Sequence, residues 1–172
     1  MGDYFLMSHM FNKKTPEDFG LVHSLDPEVL IRPSDNSQWK QRDLYDFGWG
    51  QENGYYKLPM PGFDGLVEII LHADNDEDRY GAAAVILDDH CDELLDKCLQ
   101  IFSEDGDASR YAGFFRTLDL QVPLNRSPIL GKHYAQIEED YNKWKTIAEK
   151  VKGLEPPARK KGVFSRLWLR KG

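Results

Sequence analysis

The residues of this 172-residue chain best able to do chemistry are clustered acids, five histidines and two cysteines, and their spacing limits what each could do. His90 and Cys91 adjoin, as a base and a thiol nucleophile might be imagined to, but consecutive helical residues point about 100° apart and do not readily meet. Two clusters, His72-Ala-Asp74-Asn-Asp76-Glu-Asp78 and Asp88-Asp89-His90-Cys91-Asp92-Glu93, carry enough carboxylate for a hard cation. The first lacks the Asp-x-Asp-x-Asp-Gly pattern of a calcium loop, and both fall where helix starts accept negative charge, so they read as caps and no metal ligand is assigned. Gly48, Gly50 and Gly54 are spaced Gly-x-Gly-x-x-x-Gly without a following Gly-Lys-Ser/Thr, which argues against a phosphate loop and leaves no cofactor assigned. Neither Gly-x-Ser-x-Gly nor His-Glu-x-x-His occurs, and no residue is assigned as catalytic.

The two cysteines, Cys91 and Cys98, stand seven residues apart in a stretch that reads as helix. Their Cα atoms would be about 10 Å apart, too far to bridge, so two buried thiols and a reducing cytoplasmic setting are expected.

Aromatic residues concentrate between Trp39 and Tyr56. Tyr45, Phe47 and Trp49 alternate with Asp46 and Gly48 before Asn53-Gly54, a hairpin signal whose rings suit a core or a hairpin face. Trp39, Tyr45 and Trp49 are also candidate partner-binding residues, and segment 39–56 is where a small enzyme working with paired acids would have its pocket.

These residues must be positioned by the elements around them. Residues 1–61 read as an irregular or small β part, with short apolar runs at Tyr4–Met7 and Val29–Ile31 among prolines. From Phe63 the apolar spacing becomes helical, over Phe63–Leu71, Asp76–Leu87 and Asp92–Phe102. A long packing helix is predicted over 131–152, with Tyr134, Ile137, Tyr141, Trp144, Ala148 and Val151 on one stripe.

Shifting the chain by 31 residues aligns Ile70–Tyr80 with Ile101–Tyr111, with Ile, Asp, Asp, Arg and Tyr repeated in register. In each copy an apolar helix end meets an Asp-rich turn, where Asp76 or Asp107 would cap the next helix and Arg79 or Arg110 would follow on its first turn. Small residues come next (Gly81 to Ala84; Ala112, Gly113), suiting close helix packing. Residues 62–119 therefore resemble HEAT-type repeats, although Asp78 and Ser109 replace an apolar residue usual before the Arg, and Phe114-Phe115 replaces a second Ala pair. The resemblance implies a mainly α fold: a short HEAT-like helical repeat stack, an irregular or small β N-terminal region, a long C-terminal helix, and protein binding through an exposed helical face.

Charge divides the chain. All 29 acids lie at or before Glu155 and six of the 22 basic residues lie beyond it, so residues 1–155 carry 16 Lys and Arg against 29 Asp and Glu, a net −13, and the tail carries +6. An acidic body repels phosphate backbones, which argues against nucleic acid as partner. No apolar run approaches the roughly 20 residues of a membrane span. Residues 1–155 are expected to form one acidic domain, and 156–172, opening at Pro156-Pro157, a basic amphipathic tail. There Val163, Phe164, Leu167 and Trp168 can share one helical face, and Phe164 and Trp168 join the candidate partner-binding residues. Such a segment could lie on an anionic membrane, enter a partner's groove, or fold back on the acidic body, the outcome favoured by local concentration. The functional expectation is a non-catalytic cytoplasmic protein, a scaffold or an immunity-like inhibitor, that binds another, basic protein.

Overall fold

A computed structural model describes residues 2–8, 13–46, 51–103, 108–125 and 131–154, without the side chains of 45, 46 and 51–53. Five strands form one antiparallel sheet: β1 (Phe5–Met7), β2 (Val22–His23), β3 (Leu30–Arg32), β4 (Ser37–Asp46) and β5 (Gln51–Lys57), in the order β1-β5-β4-β3-β2. Five α-helices are described: α1 (Phe63–His72), α2 (Asp76–Asp89), α3 (Cys91–Ser103), α4 (Ala112–Thr117) and α5 (Tyr134–Leu154).

The architecture is thus mixed α+β and corrects the expected mainly α, HEAT-like repeat stack. The physical reason lies in the alternation along the strands. Phe5, Met7 and Leu44 point into a large core shared with the helices, while Leu6, Leu30, Trp39 and Tyr55 point the other way into a small core closed by Phe19 and Leu21. A sheet with both faces covered needs period-two apolar residues, and these were hidden in runs too short to stand out. The small residues of α2 receive β1 as well as other helices: a side chain at Gly81 would come within 3.0 Å of Phe5. Gly81 through Ile86 are buried without interruption, so α2 is the central helix, with β1, β4, α1, α3 and α4 around it.

The hairpin of β4 and β5 forms, but Asn53-Gly54 lies inside β5, opposite Asp43 and Arg42, and not at the turn. Gly54 is needed there for space, because a Cβ would collide with Leu44. The connection 47–50 lies outside the described residues.

The α1–α2 and α3–α4 segments each run helix, link, helix. In the second, however, a 3-10 turn (Ala108–Tyr111) precedes only six residues of α-helix. Helix α5 begins at Tyr134 and buries Trp144, Ile147, Ala148 and Val151, while Tyr134 at its start is exposed. Lys132 ties α5 to α3 by donating to Asp92 (2.7 Å) and Asp140 (2.9 Å), which holds its ammonium above the usual lysine pKa. No helix among the described residues is long and apolar enough to cross a membrane.

Candidate functional site

Three segments distant in sequence meet around a groove of about 560 Å³: the end of β4, the outer face of α2, and the turn after α4. Its floor is apolar, made of Leu44, Ala83, Ala84, Leu87, Leu118 and Leu124. Its rim carries Asp43, Asp88 and Asp119, all exposed, with Tyr80 and Val122 beside them at 47% and 60% exposure.

Local chemistry explains each wall. A register shift between Asp43 and Tyr45 breaks the ladder at Leu44, which turns into the main core while Asp43 faces solvent. Asp119 has φ +51, a left-handed conformation that Asp tolerates better than most residues. Its N–H donates to the Arg116 carbonyl and the Leu120 N–H to the Phe115 carbonyl, so the chain reverses, Leu118 and Leu120 are buried and Val122 is lifted outward.

At the end of α2 the Arg42 guanidinium donates to both oxygens of Asp89, at 2.5 and 2.8 Å, and lies 3.7 Å from Asp88. These hydrogen bonds hold the Asp89 carboxyl below the usual range and raise the arginine. No ion pair is formed by Asp43 or Asp119 among the described residues. The rim therefore keeps unneutralised negative charge over an apolar floor, which suits a ligand that is both cationic and apolar.

The residues singled out from the sequence are dispersed. Trp39 is fully buried in the small core, its indole donating to Ser37 Oγ (2.7 Å) and its ring covered by Arg32, so it presents no surface to a partner. Tyr45 belongs to β4 through its backbone, but its side chain lies outside the described set, and Trp49, Asp107, Phe164 and Trp168 lie outside the described residues altogether. Asp76 begins α2 and pairs with Arg79 (2.6 Å), but Asn75 is the residue that caps the helix, its side chain accepting from the Asp78 N–H (2.7 Å). Arg110 sits on the 3-10 turn, over the ring of Tyr111, and not on the first turn of an α-helix.

The buried carboxylate is Asp78. It accepts from the backbone N–H groups of Asp3 (2.9 Å), Tyr4 (2.8 Å) and Phe5 (2.7 Å) and from the Asn75 amide (2.8 Å), tying β1 to the start of α2. The two acidic clusters serve such structural pairings, and no group of three or more His, Cys, Asp or Glu among the described residues is arranged to hold a metal ion. Cys91 and Cys98 are buried and unbridged, and burial pushes the Cys98 thiol up to about 12.

Sequence reading missed the groove because its walls come from three distant segments, and only the α2 wall carries features singled out from the sequence, the small residues Ala83 and Ala84 of the repeat and Asp88 of the second acidic cluster. Only Asp43 and Leu44 belong to the suspected 39–56 segment, and Val122 to Leu124 lie between the 62–119 repeats and the 131–152 helix, where no site residue is expected. No protein-family model, curated protein or solved structure matches this chain.

Proposed function

We propose that this is a non-catalytic cytoplasmic protein that binds a basic protein partner, and that the groove between β4, α2 and the turn after α4 is where it does so. One observation carries the reading: Asp43 and Asp119 form no ion pair among the described residues and stand on the rim of an apolar groove of about 560 Å³. Apolar floors supply affinity and the acids above them supply steering and register for a cationic segment.

The test is selective capture. The chain and its Asp43→Lys/Asp119→Asn variant are immobilised, and the proteins each retains are identified by mass spectrometry. Asn is chosen at 119 because it accepts the left-handed backbone. Basic proteins held by the wild type, lost by the variant and released by salt support the proposal. Identical retained sets from both baits would overturn it.

A further inference from the structure

The groove's chemistry is matched inside the chain itself. Beyond Glu155 there is no acid, and Arg159, Lys160, Lys161, Arg166, Arg170 and Lys171 surround Val163, Phe164, Leu167 and Trp168. The two i, i+4 pairs, Val163 with Leu167 and Phe164 with Trp168, form one apolar stripe about 8 Å long on a helix. The wall offered by α2 from Tyr80 to Asp88 is about 12 Å long at the same rise, and its apolar floor residues, Ala83 to Leu87, span about 6 Å of it.

Reach is no obstacle. Leu154 ends α5 against the main core, and α5 packs on α4, whose last residue, Thr117, lines the groove. The ten residues from Leu154 to Phe164 can span about 33 Å, comparable with the width of a domain of this size. A tethered segment on so short a link faces its site at an effective concentration in the millimolar range.

We infer that residues 159–171 occupy the groove as an internal ligand, Phe164 and Trp168 against Ala83, Ala84 and Leu87, with the basic residues facing Asp43, Asp88 and Asp119. This rests on the reading of the groove as a site for basic protein segments, and it makes the tail a competitor that a partner must displace. A second copy of the chain would offer the same tail, but without the tether.

The experiment uses the full chain in solution. Nuclear Overhauser cross-peaks are sought between the ring protons of Phe164 and Trp168 and the methyl groups of Ala83, Ala84 and Leu87. The expected result is that such cross-peaks exist at dilute and concentrated protein alike and are lost in Asp43→Lys/Asp119→Asn. A synthetic peptide of residues 158–172 should bind the full-length Phe164→Ser/Trp168→Ser variant, and at least tenfold more weakly when the two rim substitutions are added. Rings that contact no groove methyl, or that do so only at high concentration or across a mixture of labelled and unlabelled chains, overturn the inference. If the rings are free while basic partners still depend on Asp43 and Asp119, the inference falls and the proposed function stands. If partner capture ignores the rim but the cross-peaks are present, the reverse holds.

Discussion

Asp78 shows how one side chain can decide a topology. Three successive backbone donors and an amide converge on its carboxylate at 1% exposure, so the acid that replaces an apolar repeat position secures the N-terminal strand. Replacing it by Leu would leave three buried or partly buried N–H groups unsatisfied at roughly 1–3 kcal/mol each. Urea unfolding of Asp78→Leu should therefore show a loss of at least about 3 kcal/mol, and Asp78→Asn, which keeps an acceptor oxygen, a smaller one. A loss below about 1 kcal/mol for the Leu variant would remove Asp78 from this role. Gly81 presents a contest between two effects. Alanine is better in a helix by about 1 kcal/mol, but overpacking costs about 1–3 kcal/mol, and the methyl group would press on the Phe5 ring. Gly81→Ala should destabilise, and Phe5→Leu combined with it should cost less than the two single changes added together. Strict additivity would mean that the contact is not the cause.

Among the elements, α2 is anchored at both ends by charge. Acids at its start favour the dipole, but Asp88 and Asp89 at its end oppose it, and the last turn holds no basic residue. Arg42 of β4 supplies the missing cation and thereby fastens the sheet to the helix. Asp89 has a folded pKa below its unfolded value of about 3.9. Its contribution to stability is complete above that value and disappears as pH falls through the lower folded value. The side chain is 46% exposed, so solvent screening keeps the effect modest. In urea midpoints, wild type should exceed Arg42→Met at pH 7, with the gap closing below about pH 3.9. An equal gap at both pH values would show that the ion pair with Asp89 is not the source of the arginine's contribution.

At the scale of the whole molecule, the sheet separates two cores of unequal size. The helical side joins residues of every described α-helix, whereas the other side depends, among the described residues, on six buried side chains. Strand β2 has two residues, both exposed, and among the described residues pairs only with β3. Local opening should begin there, because few buried contacts hold it. Native-state hydrogen exchange should find the amides of β2 and β3 exchanging well before those of α2 and β5. Uniform protection across the sheet would show instead that both cores open as one unit.

What the sequence determined by itself was periodic and local. The apolar spacings from Phe63 onward placed α1, α2 and α3 within a few residues, and the stripe from Tyr134 to Val151 met helix α5, although of that stripe only Trp144, Ala148 and Val151 are buried. The runs at Tyr4–Met7 and Val29–Ile31 left strand and irregular packing equally open and proved to hold β1 and part of β3, and alternation marked the β4–β5 hairpin, though with its turn misplaced. Only tertiary structure decided the rest, because the deciding contacts join residues far apart in the chain. Asp78 looked like a departure from a repeat until the N–H groups of residues 3–5 came within reach. Trp39 looked like a candidate contact until Leu30, directly across the ladder, and Phe19 buried it. The groove acids Asp43, Asp88 and Asp119 carry no shared motif and become neighbours only when β4, α2 and the turn after α4 pack together. A period reports which face of an element is apolar, but which face of another element covers it is a property of the packed core.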